Sequence, residues 1–284
     1  MHFVTRFAPS PTGQLHLGHA YSALLAHDMA KAADGRFLLR IEDTDTARCT
    51  PEFETQIYDD LAWLGLTWET PVLRQSDNTP AYDVAIAQLG DMGLLYPCSC
   101  TRGDIRRAAS APQEGAPLLG PDGLIYPGTC RHRAWEDRTD TDAMRLHMER
   151  AVDHLPDLPY YTETGVHPAL SLTRDHLVHE VGDVVLARRD TGAAAYHLSV
   201  VVDDAAQGIT HVIRGEDLAP ATPIHVLLQA LLGLPTPIYH HHRLIRDDAG
   251  KRLAKRDDAR AIALYRAEGA TPQDIRDMVG LPAA

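Results

Sequence analysis

Two histidines near the start of the chain have a spacing that suits phosphate binding. His16 and His19 are three residues apart, with Gly18 between them, where a first predicted strand meets a first predicted helix. The free N–H groups and the dipole at a helix N-terminus favour bound phosphate. Both imidazoles can face one phosphate, and Gly18 lets a nucleotide lie against the backbone. Two structural histidines are the alternative, but the position at a strand-to-helix turn favours a nucleotide site.

A basic segment near the end of the chain is a second candidate. Lysine occurs only at positions 31, 251 and 255, so two of the three lysines lie in the segment 251–256. Most charge runs are solvated surface. Here the preceding Gly250 and the acidic surroundings favour a phosphate-binding loop, because a compact ammonium on a flexible stem suits the developing charge of a transferring phosphate.

Three cysteines in the middle of the chain have the spacing of a metal site. Cys98, Cys100 and Cys130 offer three thiolates in a segment rich in Pro and Gly, and structural zinc normally takes four ligands. Two residues compete for the fourth position. His132 offers imidazole, the commoner ligand, whereas Tyr126 offers a phenolate, whose pKa a dication can lower. Three buried free thiols are the alternative to a metal site.

Composition limits the class of protein. The chain has 284 residues, 44% of them hydrophobic, and a formal net charge of -12, which excludes a generic nucleic-acid coat. Length predicts about two domains. A membrane-spanning apolar run and a signal-peptide pattern are absent, and four cysteines make a poor disulfide framework. We therefore expect a cytoplasmic α/β enzyme.

Apolar periodicity predicts the elements that position these residues. Strands at 2–8 and 36–41 alternate with helices at 18–33, after Pro51, and at 80–92, which predicts a parallel sheet with right-handed crossovers. After residue 97 the pattern breaks into an insertion. Further strands are predicted at 143–148, 181–188, 196–202 and 210–213, and further helices at 220–232, 259–267 and 271–278.

Six short segments together resemble a known family. His16-Leu17-Gly18-His19 resembles the HIGH signature of class I aminoacyl-tRNA synthetases, and Arg252-Leu253-Ala254-Lys255-Arg256 resembles their KMSKS loop. Four flanking segments are similar to glutamyl-tRNA synthetases: RFAPSPTG at 6–13, IEDTD at 41–45, VVDD at 201–204 and IRGED at 213–217. The resemblance implies an α/β fold with a Rossmann-type parallel sheet, an inserted zinc-bearing domain like a connective or acceptor-binding domain, and a short helical C-terminal extension.

The same resemblance implies a division of the chain. The predicted domains are 1–96, the first half of the catalytic domain; 97–190, the insertion with the zinc site; 191–240, the second catalytic half; and 241–284, the KMSKS-like loop and a helical tail. A full glutamyl-tRNA synthetase would continue into an anticodon-binding region, but 28 residues follow Arg256. The chain therefore resembles the shorter glutamyl-queuosine tRNA(Asp) synthetases.

That family implies a reaction and its partners. Its members activate L-glutamate with ATP, without needing tRNA for that step, and attach glutamate to queuosine in the anticodon of tRNA(Asp). We expect the same activity here, from a cytoplasmic monomer with no membrane association. The alternatives are a truncated glutamyl-tRNA synthetase that charges the tRNA 3′ end and a non-catalytic tRNA-binding paralogue. Nucleotidylyltransferases also use an HxGH motif, but they would lack the Arg6, Glu42 and Arg214 set.

The resemblance also implies roles in the nucleotide site. His16 and His19 would contact the triphosphate near the transition state, and Lys255 would close over the leaving pyrophosphate. Arg252 stands in place of the first signature lysine, and Ala254 in place of the usual serine, so one hydroxyl contact is lost. Mg²⁺ is expected as counter-charge on the phosphates. The predicted ATP-binding residues are His16, Gly18, His19, Arg252 and Lys255.

Glutamate and zinc ligands follow from the same match. Arg6 and Arg214 would bind the two carboxylates, because a guanidinium binds carboxylate bidentately, and Glu42 would accept the ammonium. The predicted glutamate-binding residues are Arg6, Phe7, Ala8, Pro9, Ser10, Glu42, Tyr196 and Arg214. The family's YxxxC pattern favours Tyr126 over His132 as the fourth zinc ligand. The predicted zinc ligands are Cys98, Cys100, Tyr126 and Cys130.

Overall fold

A computed structural model describes residues 2–109, 119–189, 191–246 and 260–283 of the chain. Its helices and strands follow one another in this order: β1 Val4–Phe7, α1 Leu17–Ala32, β2 Arg36–Ile41, α2 Pro51–Trp63, β3 Leu73–Arg74, α3 Thr79–Asp91, β4 Leu95–Cys98, α4 Arg102–Ala109, β5 Leu119–Gly120, β6 Gly123–Leu124, β7 Ala143–Leu146, α5 Met148–His154, β8 Tyr160–Tyr161, β9 Leu170–Ser171, β10 Val185–Ala187, α6 Tyr196–Ala206, β11 His211–Gly215, α7 Thr222–Leu232, β12 Ile238–His242, α8 Ile262–Ala267 and α9 Pro272–Val279.

The chain forms two compact units, each built from separate stretches of sequence. The first unit comprises residues 1–78, 208–219 and 237–284, and the second comprises residues 79–207 and 220–236. The domain boundaries predicted from sequence stay predictions.

Parallel strands form the centre of the first unit, as the sequence predicts. β1, β2 and β3 pair in parallel in that order, and β11 pairs in parallel with β12. β11 lies beside β1, where the Thr210 N–H donates to the Val4 carbonyl over 2.9 Å. Apolar side chains of α1, α2, β1 and β2 form the core, together with Ile213, Ile262 and Ile275.

The helical tail packs onto the first helix of the same unit. Arg276 of α9 is buried and donates two hydrogen bonds to the Asp28 carboxylate of α1, over 2.8 and 2.9 Å. The Arg276 guanidinium also donates to the Pro282 carbonyl over 3.1 Å. The tail is thus fixed to α1, the helix that starts at the predicted nucleotide site.

A three-stranded antiparallel sheet and a group of three packed helices are the main elements of the second unit. The sheet has the order β10-β7-β4, and α3, α6 and α7 pack against one another. The Tyr82 hydroxyl of α3 contacts both carboxylate oxygens of the buried Asp203 in α6, at 2.9 and 3.0 Å. Among the residues described, none of the helices combines the length and apolar character needed to cross a bilayer.

One strand prediction in this unit is wrong, and one is too long. Residues 196–202 belong to helix α6. Within residues 181–188 only Val185–Ala187 form a strand, and Val181 ends a π-helix that begins at His176. The run Val200-Val201-Val202 has high β propensity, but Leu198, Val200 and Val201 are all buried. A helix that is buried on several faces loses the polar stripe by which its period is recognised.

Candidate active site

The predicted nucleotide site lies at the start of α1, where two imidazoles cap the helix. The Gly18 N–H donates to Nδ1 of His16, and the His16 N–H donates to Nδ1 of His19, each over 3.1 Å. The two ring centroids are 3.8 Å apart. A Cβ at Gly18 would lie 2.9 Å from Cε1 of His16, so only glycine leaves this ring in place.

These hydrogen bonds fix how each ring can meet a ligand. Because Nδ1 of both His16 and His19 accepts from a backbone N–H, each neutral ring carries its proton on Nε2. An Nε2–H donor suits a phosphate oxygen. The structure thus brings His16, Gly18 and His19 together in one cap with donors of the right kind.

The segment that follows the KMSKS-like motif is attached to this cap. Ala261 forms an antiparallel bridge with His16, and the Ile262 N–H donates to the Leu15 carbonyl over 2.9 Å. Arg252, Ala254 and Lys255 lie in 247–259, outside the described residues, so their predicted roles stay predictions.

The predicted glutamate-binding arginines lie on two neighbouring strands of the first unit. Arg6 is the third residue of β1 and Arg214 the fourth of β11, and both are buried. Ligands bind at the carboxyl ends of strands in parallel sheets. Phe7 ends β1, Glu42 follows β2 directly, and the Glu42 N–H donates to the Pro9 carbonyl over 3.0 Å. Because β1 and β2 are parallel, the structure places Phe7 and Glu42 at the same edge of their sheet, and Ala8, Pro9 and Ser10 follow directly after β1. Arg6 and Arg214 lie within the adjacent strands β1 and β11.

The buried guanidinium of Arg40, two residues before Glu42 in the sequence, orients the Glu42 side chain. Nη2 of Arg40 donates to Oε1 of Glu42 over 3.2 Å, and the Arg40 side chain is fully buried. This pair explains the charged residue inside the otherwise apolar run of strand β2. It also restricts the orientation of the Glu42 carboxylate, the group predicted to bind the substrate ammonium.

A cluster of three thiols and one phenol forms in the second unit. The sulfur atoms of Cys98, Cys100 and Cys130 lie within 4.8 Å of one another, and Cys100 and Cys130 are 3.6 Å apart. Oη of Tyr126 lies 3.3 Å from Sγ of Cys98 and 3.4 Å from Sγ of Cys100. His132 is exposed and does not belong to this group.

The dimensions of this cluster fit a tetrahedral zinc ion. Zn–S bonds of about 2.3 Å and Zn–O bonds of about 2.0 Å place sulfur atoms about 3.8 Å apart and oxygen about 3.5 Å from sulfur. The distance between the sulfur atoms of Cys100 and Cys130, and those from Oη of Tyr126 to Cys98 and Cys100, agree with these edges. The Arg145 guanidinium lies 4.0 Å above the Tyr126 ring and would stabilise a phenolate.

The protonation of the cluster is uneven without a metal. Burial raises the pKa of the Cys100 thiol to about 11. Burial also opposes ionisation of Cys130, but hydrogen bonds from the Tyr126 hydroxyl and from Ser99 outweigh it and lower the Cys130 pKa to about 7. Burial, followed by hydrogen bonds to the thiols, raises the pKa of Tyr126. One thiolate is thus favoured, and a bound dication would favour the other ionised ligands.

Comparison with known proteins decides the family. The model of tRNA synthetases class I (E and Q), catalytic domain, matches residues 2–282. A glutamyl-Q tRNA(Asp) synthetase of Rhodobacter capsulatus is 61% identical over 284 residues, which cover 98% of this chain and 100% of that protein. One from Nocardia farcinica is 42% identical over 98% of this chain and 85% of that protein. The chain belongs to the class I tRNA synthetases, among the glutamyl-Q tRNA(Asp) synthetases.

A solved structure agrees with this assignment of the synthetase. The crystal structure of a glutamate tRNA ligase from Elizabethkingia meningosepticum, in complex with its amino acid, matches with a TM-score of 0.77 at 28% identity. The match covers 98% of this chain and 60% of the ligase, so this synthetase spans about three fifths of that ligase's length. The family and the class I fold predicted from the motifs are confirmed.

The structure adds two contacts at predicted glutamate-binding residues of the synthetase that sequence reasoning missed. Nε of Arg214 donates to Nε2 of His241 over 3.2 Å, because these two residues are partners in the register of β11 and β12. Sγ of Cys49 lies 3.8 Å from Oγ of Ser10. The contact between Arg214 and His241 follows only from the pairing of the two strands. No sequence signal marks the contact between Cys49 and Ser10.

Tyr196 begins α6 in the second unit of the synthetase, beside two buried histidines. Its ring packs edge-on against His197 and His225, with centroid distances of 5.6 Å to each. Nδ1 of His197 and Nε2 of His225 are 3.1 Å apart, and Nε2 of His197 lies 3.4 Å from Oδ1 of Asp122. These contacts fix the first turn of α6.

Proposed function

We propose that this synthetase forms glutamyl-adenylate from L-glutamate and ATP and transfers glutamate to queuosine in the anticodon of tRNA(Asp). The observation that carries the proposal is the 61% identity, over its whole length, to the glutamyl-Q tRNA(Asp) synthetase of Rhodobacter capsulatus. The capped α1 terminus and the residues gathered at the strand ends support it.

The first step is attack of the glutamate α-carboxylate on the α-phosphate of ATP. A bond forms between carboxylate oxygen and phosphorus, and the bond to pyrophosphate breaks. In the second step a nucleophile of queuosine attacks the activated carbonyl carbon, and AMP leaves. A protein nucleophile is unnecessary, since positioning and charge stabilisation supply the rate.

The nucleotide residues act by donating hydrogen bonds and charge. Nε2–H of His16 and of His19 donates to phosphate oxygens, and the bare backbone at Gly18 admits the nucleotide. Lys255 neutralises charge on the leaving pyrophosphate, and Arg252, three residues earlier in the sequence, adds a second cation. Mg²⁺ bound to the phosphates would supply further counter-charge.

The glutamate residues act by charge complementarity. The guanidinium groups of Arg6 and Arg214 bind carboxylate oxygens of the substrate, and the Glu42 carboxylate accepts from its ammonium. Ser10 and Tyr196 donate further hydrogen bonds, while Phe7, Ala8 and Pro9 form the wall. The fixed orientations of Glu42 through Arg40 and of Arg214 through His241 support this assignment.

Cys98, Cys100, Cys130 and Tyr126 would hold one Zn²⁺. The ion would supply structural stabilisation of this part of the second unit, not a reaction step. The substrates of the synthetase are free nucleotide, amino acid and tRNA, which supports a cytoplasmic location, and we propose that the synthetase acts as a monomer.

One pair of assays tests the proposal. ATP–pyrophosphate exchange without tRNA is expected with glutamate and not with glutamine or aspartate. Labelled glutamate should then transfer to tRNA(Asp) that carries queuosine and not to the same tRNA without it. Equal transfer to both tRNAs would instead establish a truncated glutamyl-tRNA synthetase, and failure of exchange in zinc-loaded protein would establish a non-catalytic paralogue.

A further inference from the structure

Helix α4 carries exposed positive charge in an otherwise acidic chain. Its eight residues hold three arginines, Arg102, Arg106 and Arg107, against the single acid Asp104. Arg102 and Arg106 are four residues apart and therefore lie on the same face of the helix. Both are exposed.

Several other exposed arginines in the described part of the chain have an acidic partner, which Arg102 and Arg106 lack. Arg36 pairs with Glu69, and Arg174 pairs with Glu149 and with Asp153. On α4 itself, Arg107 pairs with Asp104. Within the described part of the chain, neither Arg102 nor Arg106 forms an ion pair or a hydrogen bond through its side chain.

The positions of Arg102 and Arg106 lower the stability of helix α4. Arg102 is the first residue of α4, where the helix dipole disfavours a cation. Like charges four residues apart, as at Arg102 and Arg106, repel each other. Two unpaired cations in such positions are typical of a surface whose counter-charge comes from a ligand.

The cysteine cluster fixes the orientation of this helix. α4 begins two residues after Cys100, and Ile105 packs against the core that contains Cys98, Tyr126 and Cys130. The Thr101 hydroxyl and N–H both donate to Oδ2 of Asp104, over 2.7 and 2.8 Å, and so cap the helix. The helix is thus held on its apolar side by the cluster, which leaves the Arg102 and Arg106 side exposed.

We propose that the face of α4 formed by Arg102 and Arg106 binds phosphates of the tRNA substrate. This inference rests on the proposed function for the identity of the polyanion. A net charge of -12 opposes association with RNA, so affinity requires a local cationic face. The cysteine cluster would then serve to hold α4 in a fixed orientation.

The test compares binding of native tRNA(Asp) to the full chain and to the double variant Arg102→Ala, Arg106→Ala over a salt series. Loss of two phosphate contacts should lower the slope of log affinity against log salt by about 1.4 to 1.8. At about 0.1 M salt this corresponds to roughly 25-fold to 60-fold weaker binding. The variant Arg102→Lys, Arg106→Lys should retain most of the affinity, because either cation neutralises a phosphate.

The control is the double variant Arg36→Ala, Arg174→Ala, which removes the same charge from ion-paired arginines and should bind tRNA(Asp) as the parent does. Equal binding by the α4 variant and this control would overturn the proposal. Glutamate-dependent exchange without tRNA should be unchanged in the α4 variant, which shows that it is folded. Absence of exchange in the parent protein would refute the proposed function. The salt series of tRNA(Asp) binding would still decide whether Arg102 and Arg106 bind phosphates.

Discussion

His16 and Ala261 form an antiparallel bridge, so the residue that caps helix α1 is fixed beside the chain that leaves the segment 247–259. Lys255 stands six residues before this bridge along the chain. A phosphate bound at the α1 cap would therefore lie near the anchored end of the lysine-bearing segment. The bridge is made by backbone atoms and is therefore independent of any ligand.

The close approach at Gly18 predicts a substitution that impairs the reaction and spares the fold. In Gly18→Ala the new Cβ would lie 2.9 Å from Cε1 and 3.1 Å from Nδ1 of His16, so the ring must move and its hydrogen bond is lost. We expect kcat for pyrophosphate exchange to fall roughly 10-fold to 100-fold. Thermal unfolding should be little changed, because alanine favours helix by about 1 kcal/mol.

The matched control is Gly103→Ala in the first turn of α4. There the added Cβ meets only Oγ1 of Thr101 at 3.6 Å and Nη1 of Arg107 at 3.7 Å, which are ordinary contacts. Exchange should be unaffected in this variant. Similar kinetics for Gly18→Ala and Gly103→Ala would contradict a role for the His16 orientation.

Lys255→Ala should separate catalysis from binding. If the ammonium acts on the leaving pyrophosphate, its loss should lower kcat by about 10² to 10³, as for other transition-state donors. KM for glutamate should change little, since the proposed role assigns this group to the pyrophosphate and not to glutamate. Steady-state exchange kinetics measure both quantities, with Lys31→Ala as the control. An equal loss in kcat and in glutamate affinity would count against a transition-state role.

The fourth zinc ligand can be assigned by two substitutions. Tyr126→Phe removes the oxygen that lies 3.3 and 3.4 Å from two sulfur atoms, so zinc should bind more weakly and be lost first to a competing chelator. His132→Ala, which changes an exposed side chain, should retain zinc as the parent does. Metal analysis after dialysis against graded chelator measures both. Loss of zinc from the histidine variant alone would reverse the assignment.

The predictions from sequence succeed where local pattern and buried surface agree. Strand β2 is predicted at 36–41 and is found as Arg36–Ile41, because its apolar run is bounded by Gly35 and by the polar residues from Glu42 on. Residues 196–202 fail for the opposite reason. Their β-branched residues favour a strand, but these residues form helix α6, which is buried against α3 and α7.

Contacts set by strand register lie beyond local pattern. Arg214 and His241 meet because β11 and β12 pair in parallel across the crossover that contains α7. A shift of one residue would turn His241 to the other face of the strand. The signature motifs identify Arg214, but the partner that orients it follows only from the pairing of the two strands.

His225 is predicted to act as a positioning residue for Tyr196. His225→Ala removes the partner 3.1 Å from Nδ1 of the buried His197, which should cost about 1–3 kcal/mol of stability. It also removes the ring that packs against Tyr196, so KM for glutamate should rise more than kcat falls. His225→Gln should restore part of both, because an amide can bond to imidazole. The exposed His179→Ala serves as control, and an unchanged KM in a folded His225→Ala variant would refute the role.

The buried carboxyl of Asp60 predicts a pH-dependent gain in stability when its charge is removed. Burial raises the pKa of Asp60 from 3.8 to about 6, against the attraction of Arg266 and with the repulsion of Asp59. Because the folded pKa lies above the unfolded one, the fold favours the protonated form. The associated stability is present below the unfolded pKa and is lost as the pH rises through about 6. Since a tenfold change in a protonation equilibrium corresponds to about 1.4 kcal/mol, the loss of stability above that pH is at most about 3 kcal/mol.

Asp60→Asn should therefore raise the free energy of unfolding by about 1–3 kcal/mol at pH 8 and by much less at pH 4, where the parent carboxyl is protonated. Urea unfolding at the two pH values measures the difference from the parent at each. The neighbouring Asp59→Asn, on the exposed side of α2, should have little effect at either pH. An equal gain at both pH values would show that Asp60 acts through packing or hydrogen bonding and not through the cost of burying its charge.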